Sequence, residues 1–328
     1  MRFQPQPEQL DYAASLRDFL AAQDTPSIAR AWAAGDPAPG RALWRKLADQ
    51  GVLALGLPPE HGGVDATPVD LVLAFEQLGR AAVPGPYVES VAVLPMLLAG
   101  TPAADRLEPI GAGSLVATVA LPPRVPYAVD AAAADVSFVV TAGGLAYARV
   151  TGGRDSVDPS RRLGVVEAGE PLGAVDPAAA FDRGALATAA YLLGAGAALL
   201  EQTVDYAKLR RQFGAPIGSF QAVKHQLADV AVALEFARPL LSGAALAVAG
   251  PGGPTVGRDV SAAWVACATG AHLAARTALQ VHGAIGYTAE HTLSVWLLKV
   301  RALLSAWGTH RLHRGRVWAA LESEVAGG

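Results

Sequence analysis

The chain has 328 residues, 52% of them apolar and only 17% charged, with 26 Lys+Arg against 29 Asp+Glu and a net charge of −3 at pH 7. That length buries a sizeable core in more than one layer or domain, and so apolar a chain must bury much of itself in its core or against another subunit. The charge balance gives no electrostatic reason to expect nucleic acid, and the single cysteine, Cys267, excludes an intramolecular disulfide or a cysteine-based zinc site.

The N-terminal residues MRFQPQPEQLDYAA lack the apolar core of a signal peptide, so a cytoplasmic protein is expected. From Gln9 to about Leu98 the pattern is helical, broken at Pro37-Ala38-Pro39-Gly40 and Pro58-Pro59. Thr67-Pro68 reads as an N-cap with proline in the first turn, and Leu71, Val72, Phe75 and Leu78 follow at helical spacing. Gly85-Pro86 opens a further helix to Leu98.

Between about Gly111 and Ala180 glycine and proline are frequent and the apolar runs are short. Leu115–Leu121, Val136–Thr141, Leu145–Val150 and Leu163–Glu167 read as strands of a small sheet domain; the alanine-rich Ala131–Ala134 blurs one boundary. From Phe181 the chain is helical again, over about Ala185–Leu209, Phe220–Val248, Val256–Val281 and Thr288–Ala306, with a last helix after Thr309. Ser219 is placed to cap the second of these, with Phe220, Val223, Leu227, Val230 and Leu234 along one face. Long helices with short connections imply an antiparallel bundle. Gly184–Leu200 is apolar throughout but falls short of the roughly 20 residues of a membrane span, and it runs into Glu201-Gln202. A central bundle helix fits it better. The fold class is therefore mainly α with a small β domain: helical residues 1–110, a β domain at 111–180 and a helical bundle at 181–328.

The stretch Arg210–Asp229, RRQFGAPIGSFQAVKHQLAD, joins two long helices through a basic, glycine-bearing turn. Two arginines, a glutamine and a phenylalanine at fixed spacing suit an anionic, partly aromatic ligand such as a nucleotide cofactor, because guanidinium groups match phosphate and an aromatic face packs on a ring. Taken alone, the same residues could equally cap helix ends and fill core.

With LADQGVLALGLPPEHGG (Leu47–Gly63) and QVHGAIGYTAEHTL (Gln280–Leu293), that stretch resembles the acyl-CoA dehydrogenase family over nearly the whole chain. The resemblance implies a helical domain, a β domain and a four-helix bundle, with FAD at a subunit interface. The flavin ring belongs largely to one subunit, and the adenosine and pyrophosphate end is clasped by the neighbour's bundle. On the matching positions Arg210 would meet the pyrophosphate. Gln212, Phe213 and Gln221 would border the cofactor, and Gln280 with the backbone around His282, Gly283 and Ala284 would take the adenosine side.

The resemblance also locates departures. The family's base is a glutamate that abstracts an α-proton from an acyl-CoA thioester while a hydride passes to the flavin. Its usual position is Trp307 here, and its alternative position is Gly184, followed by Ala185 where an arginine is common. Indole has no proton-accepting lone pair, so no catalytic residue is expected at either position. The family's flavin-embracing Thr-Glu-Pro-x-Ala-Gly-Ser and Trp-Ile-Thr-Asn stretches are missing between Leu115 and Val175, and the β domain is short. This pattern is similar to the smaller, base-lacking subunit of actinobacterial heteromeric (α2β2) steroid side-chain acyl-CoA dehydrogenases. It implies FAD shared with a glutamate-bearing partner that binds most of the acyl-CoA. Asp182, Glu201 and Glu290 are candidates for a displaced base; Asp182 reads instead as a helix-dipole partner and Glu290 as a cap or salt bridge. His310 and His313 lie one turn apart without an evident carboxylate or cysteine partner, so no metal is expected.

Overall fold

The computed structural model describes residues 4–251, 253–288 and 291–327. The N-terminal part is helical: α1 (Pro7–Ala21), α2 (Thr25–Ala33), α3 (Ala38–Asp49) and α4 (Pro68–Arg80). Thr67 and Asp70 form a reciprocal capping box at the start of α4, with Leu71, Phe75 and Leu78 fully buried as their spacing requires. The helix expected after Gly85-Pro86 instead divides. Val88–Val93 is a π-helical stretch that passes into α5 (Leu94–Leu98), and α6 (Leu107–Gly111) follows.

The middle of the chain is a five-stranded mixed sheet in the order β1-β3-β4-β5-β2. Its strands are β1 (Ala117–Ala120), β2 (Ala128–Val129), β3 (Val136–Thr141), β4 (Gly144–Arg154) and β5 (Leu163–Gly173). β1 runs parallel to β3, and the other pairs are antiparallel. Four strands fall on the expected apolar runs. The two-residue β2 was hidden beside the alanine-rich stretch, because a strand that short carries no alternation to read. The connection between β4 and β5 returns to the bundle, where Lys299 Nζ lies 2.7 Å from Asp158 Oδ2 and donates to Ser160 Oγ at 2.8 Å. All three residues are buried, so the sheet is tied to the bundle through a desolvated ion pair.

The C-terminal bundle consists of α7 (Pro177–Leu209), α8 (Gln221–Ala249), α9 (Val256–His282), α10 (Leu293–Leu303) and α11 (His310–Gly327). α7 is its axis and begins well before the expected Ala185, because Asp176 accepts from the backbone N–H groups of Ala178 and Ala179 and Pro177 occupies the first turn. Asp182 is thus inside the helix. Rather than complementing the dipole at its start, it pairs with Arg316 of α11 at 2.7 Å. The small residues of α7 serve close packing: a Cβ on Gly194 would sit 1.9 Å from the Glu76 carbonyl oxygen of α4. α7 and α8 are both long and apolar enough to cross a membrane, but 89% of the α7 window is buried inside the fold, as a central bundle helix requires.

Two further expectations are corrected. Ser219 does not cap α8; it ends a 3-10 turn (Ile217–Ser219) and donates to Pro216 O, while Phe220 takes the cap position with extended backbone. Along the expected α8 face Val230 and Leu234 are buried but Phe220 is partly exposed. The expected helix over Thr288–Ala306 is shorter: a 3-10 turn (Gly283–Tyr287) leads toward α10, and Leu303 ends it.

Candidate functional site

The basic turn is a miniature hairpin. α7 ends at Leu209, Arg210 is its C-cap, and β6 (Arg211–Gln212) pairs antiparallel with β7 (Ala215–Pro216). Phe213 and Gly214 form the two-residue loop with φ of 51° and 80°, the doubly left-handed backbone of a type I′ turn. Arg211 Nη2 closes it by donating to Gly214 O at 3.0 Å. Glycine meets that geometry without cost, whereas phenylalanine there is strained by about 1–2 kcal/mol. The Phe213 side chain is 92% exposed, with the edge of the Phe220 ring at a centroid distance of 6.2 Å. Arg210, Gln212 and Gln221 are exposed around it. None of their side chains hydrogen-bonds or forms an ion pair among the described residues.

The end of α9 lies at the same end of the bundle. Tyr206 of α7 stacks on His282 with ring centroids 4.1 Å apart, and His282 Nδ1 contacts Ala278 O at 2.8 Å. The imidazole is buried and stacks against Tyr206 as a pin between α9 and α7. Gly283 follows with φ of 63°, open space where a Cβ would be, and Ala284 is exposed. Gln280 is exposed and lines a cavity of about 410 Å³ with Gln226, Leu273, Arg276, Thr277 and Leu279.

Trp307 and Gly184 meet in space. A Cβ on Gly184 would lie 2.3 Å from Trp307 Cε3, so the indole occupies the room that a side chain at 184 would need. Trp307 is 1% exposed and, like Phe213, has a left-handed backbone, φ 51°. Its carbonyl contacts His313 Nε2 at 2.9 Å, and its Nε1–H donates to Glu89 Oε1 at 3.0 Å. Glu89 sits in the π-helical stretch, 3% exposed. Burial holds its carboxyl above the usual carboxylate range, against the opposing pull of Arg161 and the indole N–H. Sequence reasoning missed Glu89; the available signal was one carboxylate inside the apolar run YVESVAVLPMLL, which must be buried with whatever partner the fold brings to it.

Of the other candidates, Glu201 lies apart from this cluster and His313 packs beneath it. Glu201 is half exposed and pairs with Arg80 and Arg17 on the surface. Glu290 lies outside the described residues. His313 is buried between Trp264, stacked at 4.4 Å, and Phe181, with Nδ1 3.1 Å from Ser261 Oγ. Burial pushes its pKa down to about 4. Among the described residues no three His, Cys, Asp or Glu side chains gather as a metal site would need.

Residues 6–106 match the family description "Acyl-CoA dehydrogenase, N-terminal domain", and residues 173–322 match "Acyl-CoA dehydrogenase, C-terminal domain". The chain is 34% identical over 317 residues to acyl-CoA dehydrogenase IpdE2 of Mycobacterium tuberculosis, covering 95% of each chain. Among solved structures, a chain of the ChsE4-ChsE5 complex from Mycobacterium tuberculosis superposes with a TM-score of 0.84 at 24% identity, covering 98% of this chain and 99% of that one. A chain of the Tcur3481-Tcur3483 steroid ACAD gives the same TM-score at 22% identity, covering 97% and 99%. The helical, sheet and bundle order and these matches agree: the chain belongs to the acyl-CoA dehydrogenase family.

Proposed function

We propose that this chain is the non-catalytic subunit of an FAD-dependent acyl-CoA dehydrogenase and completes the flavin site of a glutamate-bearing partner. The observation that carries this is the buried Trp307 indole packed over Gly184. The two positions where the family places its base are one filled volume, and neither offers a proton acceptor. FAD supplies the hydride acceptor of the family's α,β-dehydrogenation, and the exposed residues here fit its phosphate and adenosine end. Arg210 would hold the pyrophosphate with its guanidinium fork, Phe213 would pack on the cofactor, and Gln212, Gln221 and Gln280 would donate amide hydrogen bonds. The open backbone at Gly283 and Ala284, following His282, would admit the adenosine.

The partner brings the base and binds most of the acyl-CoA, in a cytoplasmic α2β2 assembly. The likeness to a chain of a steroid ACAD supports a steroid acyl group. The test is co-expression with glutamate-bearing acyl-CoA dehydrogenase chains, followed by an absorption spectrum of the purified complex. Losing a charge-assisted phosphate contact costs on the order of 2 kcal/mol, so Arg210→Ala should lower flavin retention by about tenfold or more. Unchanged flavin content would refute the role, and a colourless assembled complex would favour a flavin-free scaffold.

A second reading has one residue to stand on. Glu89 is a buried carboxyl beside Trp307, where a displaced base of a self-sufficient homodimer would be sought. Flavin and turnover in the lone purified chain, abolished by Glu89→Gln, would establish that reading instead.

A further inference from the structure

The connection from β4 to β5 ends in Asp158-Pro159-Ser160-Arg161-Arg162, whose residues reach separate parts of the molecule. Asp158 and Ser160 hold Lys299 of α10, at 2.7 and 2.8 Å. Arg162 N donates to Asp130 Oδ1 at 2.9 Å, and Asp130 N returns a bond to Arg162 O at 2.8 Å. Arg162 Nη2 also donates to Ala33 O, at the end of α2, at 2.8 Å. Arg161 lies between these two anchorages, with its backbone N–H on Asp158 O at 3.0 Å. Its half-buried guanidinium faces the buried Glu89 carboxyl of the π-helical stretch. Glu89 in turn accepts from Trp307 Nε1 at 3.0 Å.

We infer that Asp158–Arg162 is a latch: anchored on α10 and α2, it holds the Arg161 guanidinium against the Glu89 carboxyl and so seats the Trp307 indole over Gly184. Burial alone favours the neutral carboxyl, and a nearby positive charge favours the ionised one. An ionised carboxylate is the stronger acceptor for the indole N–H. The anchor is firm because Asp158 and Lys299 have both left water, and separating them would strand two buried charges. Closing the sheet domain on the helices therefore also closes the volume shared by Gly184 and Trp307. The latch belongs to this chain alone. It holds whichever chain supplies the base, so its failure and that of the flavin clasp are separate results.

The test follows the indole N–H resonance of Trp307 across pH in the isotope-labelled full chain, assigned by its loss in Trp307→Phe. Glu89→Gln identifies the step that reports Glu89 by abolishing it. That separates it from Asp130, which faces Arg161, Lys299 and Trp32, and from His313 on the Trp307 carbonyl. Arg161→Gln should raise the midpoint of the Glu89 step by about one pH unit or more, and Arg161→Lys, which keeps the charge, should hold it within about half a unit. The paired substitution Asp158→Asn with Lys299→Met removes both charges of the anchor together and should raise the midpoint as Arg161→Gln does. A midpoint that Arg161→Gln leaves in place overturns the latch. So does one that Arg161→Lys moves as far as Arg161→Gln does. A midpoint moved by Arg161→Gln but not by the paired substitution shows that Arg161 acts without the anchor, which also overturns it. Should Arg161→Gln not fold, the paired substitution decides alone, for the latch if the midpoint rises and against it if not.

Discussion

The bond between Trp307 Nε1 and Glu89 Oε1 can be tested by a double-mutant cycle. The donor–acceptor distance is 3.0 Å and both residues are buried. Trp307→Phe keeps an aromatic ring over Gly184 and removes the N–H. A hydrogen bond to a buried carboxyl is worth about 1–3 kcal/mol once the orphaned acceptor is counted, and the smaller ring leaves a cavity worth about 1 kcal/mol more. The expected cost is about 2–4 kcal/mol. Glu89→Leu removes a carboxyl that burial already disfavours and leaves the indole N–H unpaired, for a net change within about 1 kcal/mol of zero. In the double variant neither orphan remains. Its destabilisation should therefore fall below the sum of the single costs by about 1.5 kcal/mol. Urea denaturation of the four purified chains, followed by circular dichroism and compared at equal m-values, reads the coupling directly. Additivity within about 0.5 kcal/mol would refute the bond as the device that holds the indole in place. Flavin retention in the assembled complex should be unaffected by any of the four chains, because the proposed clasp is built from other residues.

Asp130 gives a pH prediction with a defined sign. It is buried, has a left-handed backbone with φ 53°, and accepts from Arg162 N at 2.9 Å. Burial raises its pKa from 3.8 to about 6. The folded state thus holds this proton more tightly than the unfolded state does. The contribution to stability is full below about pH 3.8 and is lost as pH rises through about 6. Asp130→Asn tolerates the left-handed backbone, keeps the acceptor and stays neutral. It should exceed the wild type by up to about 3 kcal/mol at pH 7, with the gap closing toward pH 4; a gap independent of pH would contradict this. Two glycine substitutions should differ in sign. Gly194→Ala drives a methyl into the Glu76 carbonyl at 1.9 Å and should cost more than about 2 kcal/mol. Gly315→Ala, in α11 with open space around it, should stabilise by about 0.5–1 kcal/mol. Thermal melts of the two variants decide both.

Much of the architecture was legible because it is written in short-range periodicity. The strand β3 and the helix α9 fall where alternation and helical spacing put them. Misreadings arose where a local signal had two meanings. Asp176-Pro177 is a cap and first turn that the following alanines disguise, and Ser219 stands where a cap would be but spends its hydroxyl on Pro216 O. The site divides in the same way. Arg210 and Phe213 are exposed at a short turn and Gln280 near the end of α9, and the resemblance to the family singles them out. Glu89 is far in sequence from Trp307 and Arg161, the partners of its carboxyl. The same distance hid how Gly184 and Trp307 are related. From sequence they are two separate departures, one base position emptied and another filled. In space they are a single one: any side chain at 184 would collide with the indole at 2.3 Å, so the glycine is the condition for the tryptophan. Restoring a glutamate at 184 alone would therefore set a carboxylate against a packed ring, and at 307 alone it would place one opposite Glu89. On the proposed non-catalytic reading, a base at either position could not be restored by one substitution, because Trp307 and Gly184 share one buried volume.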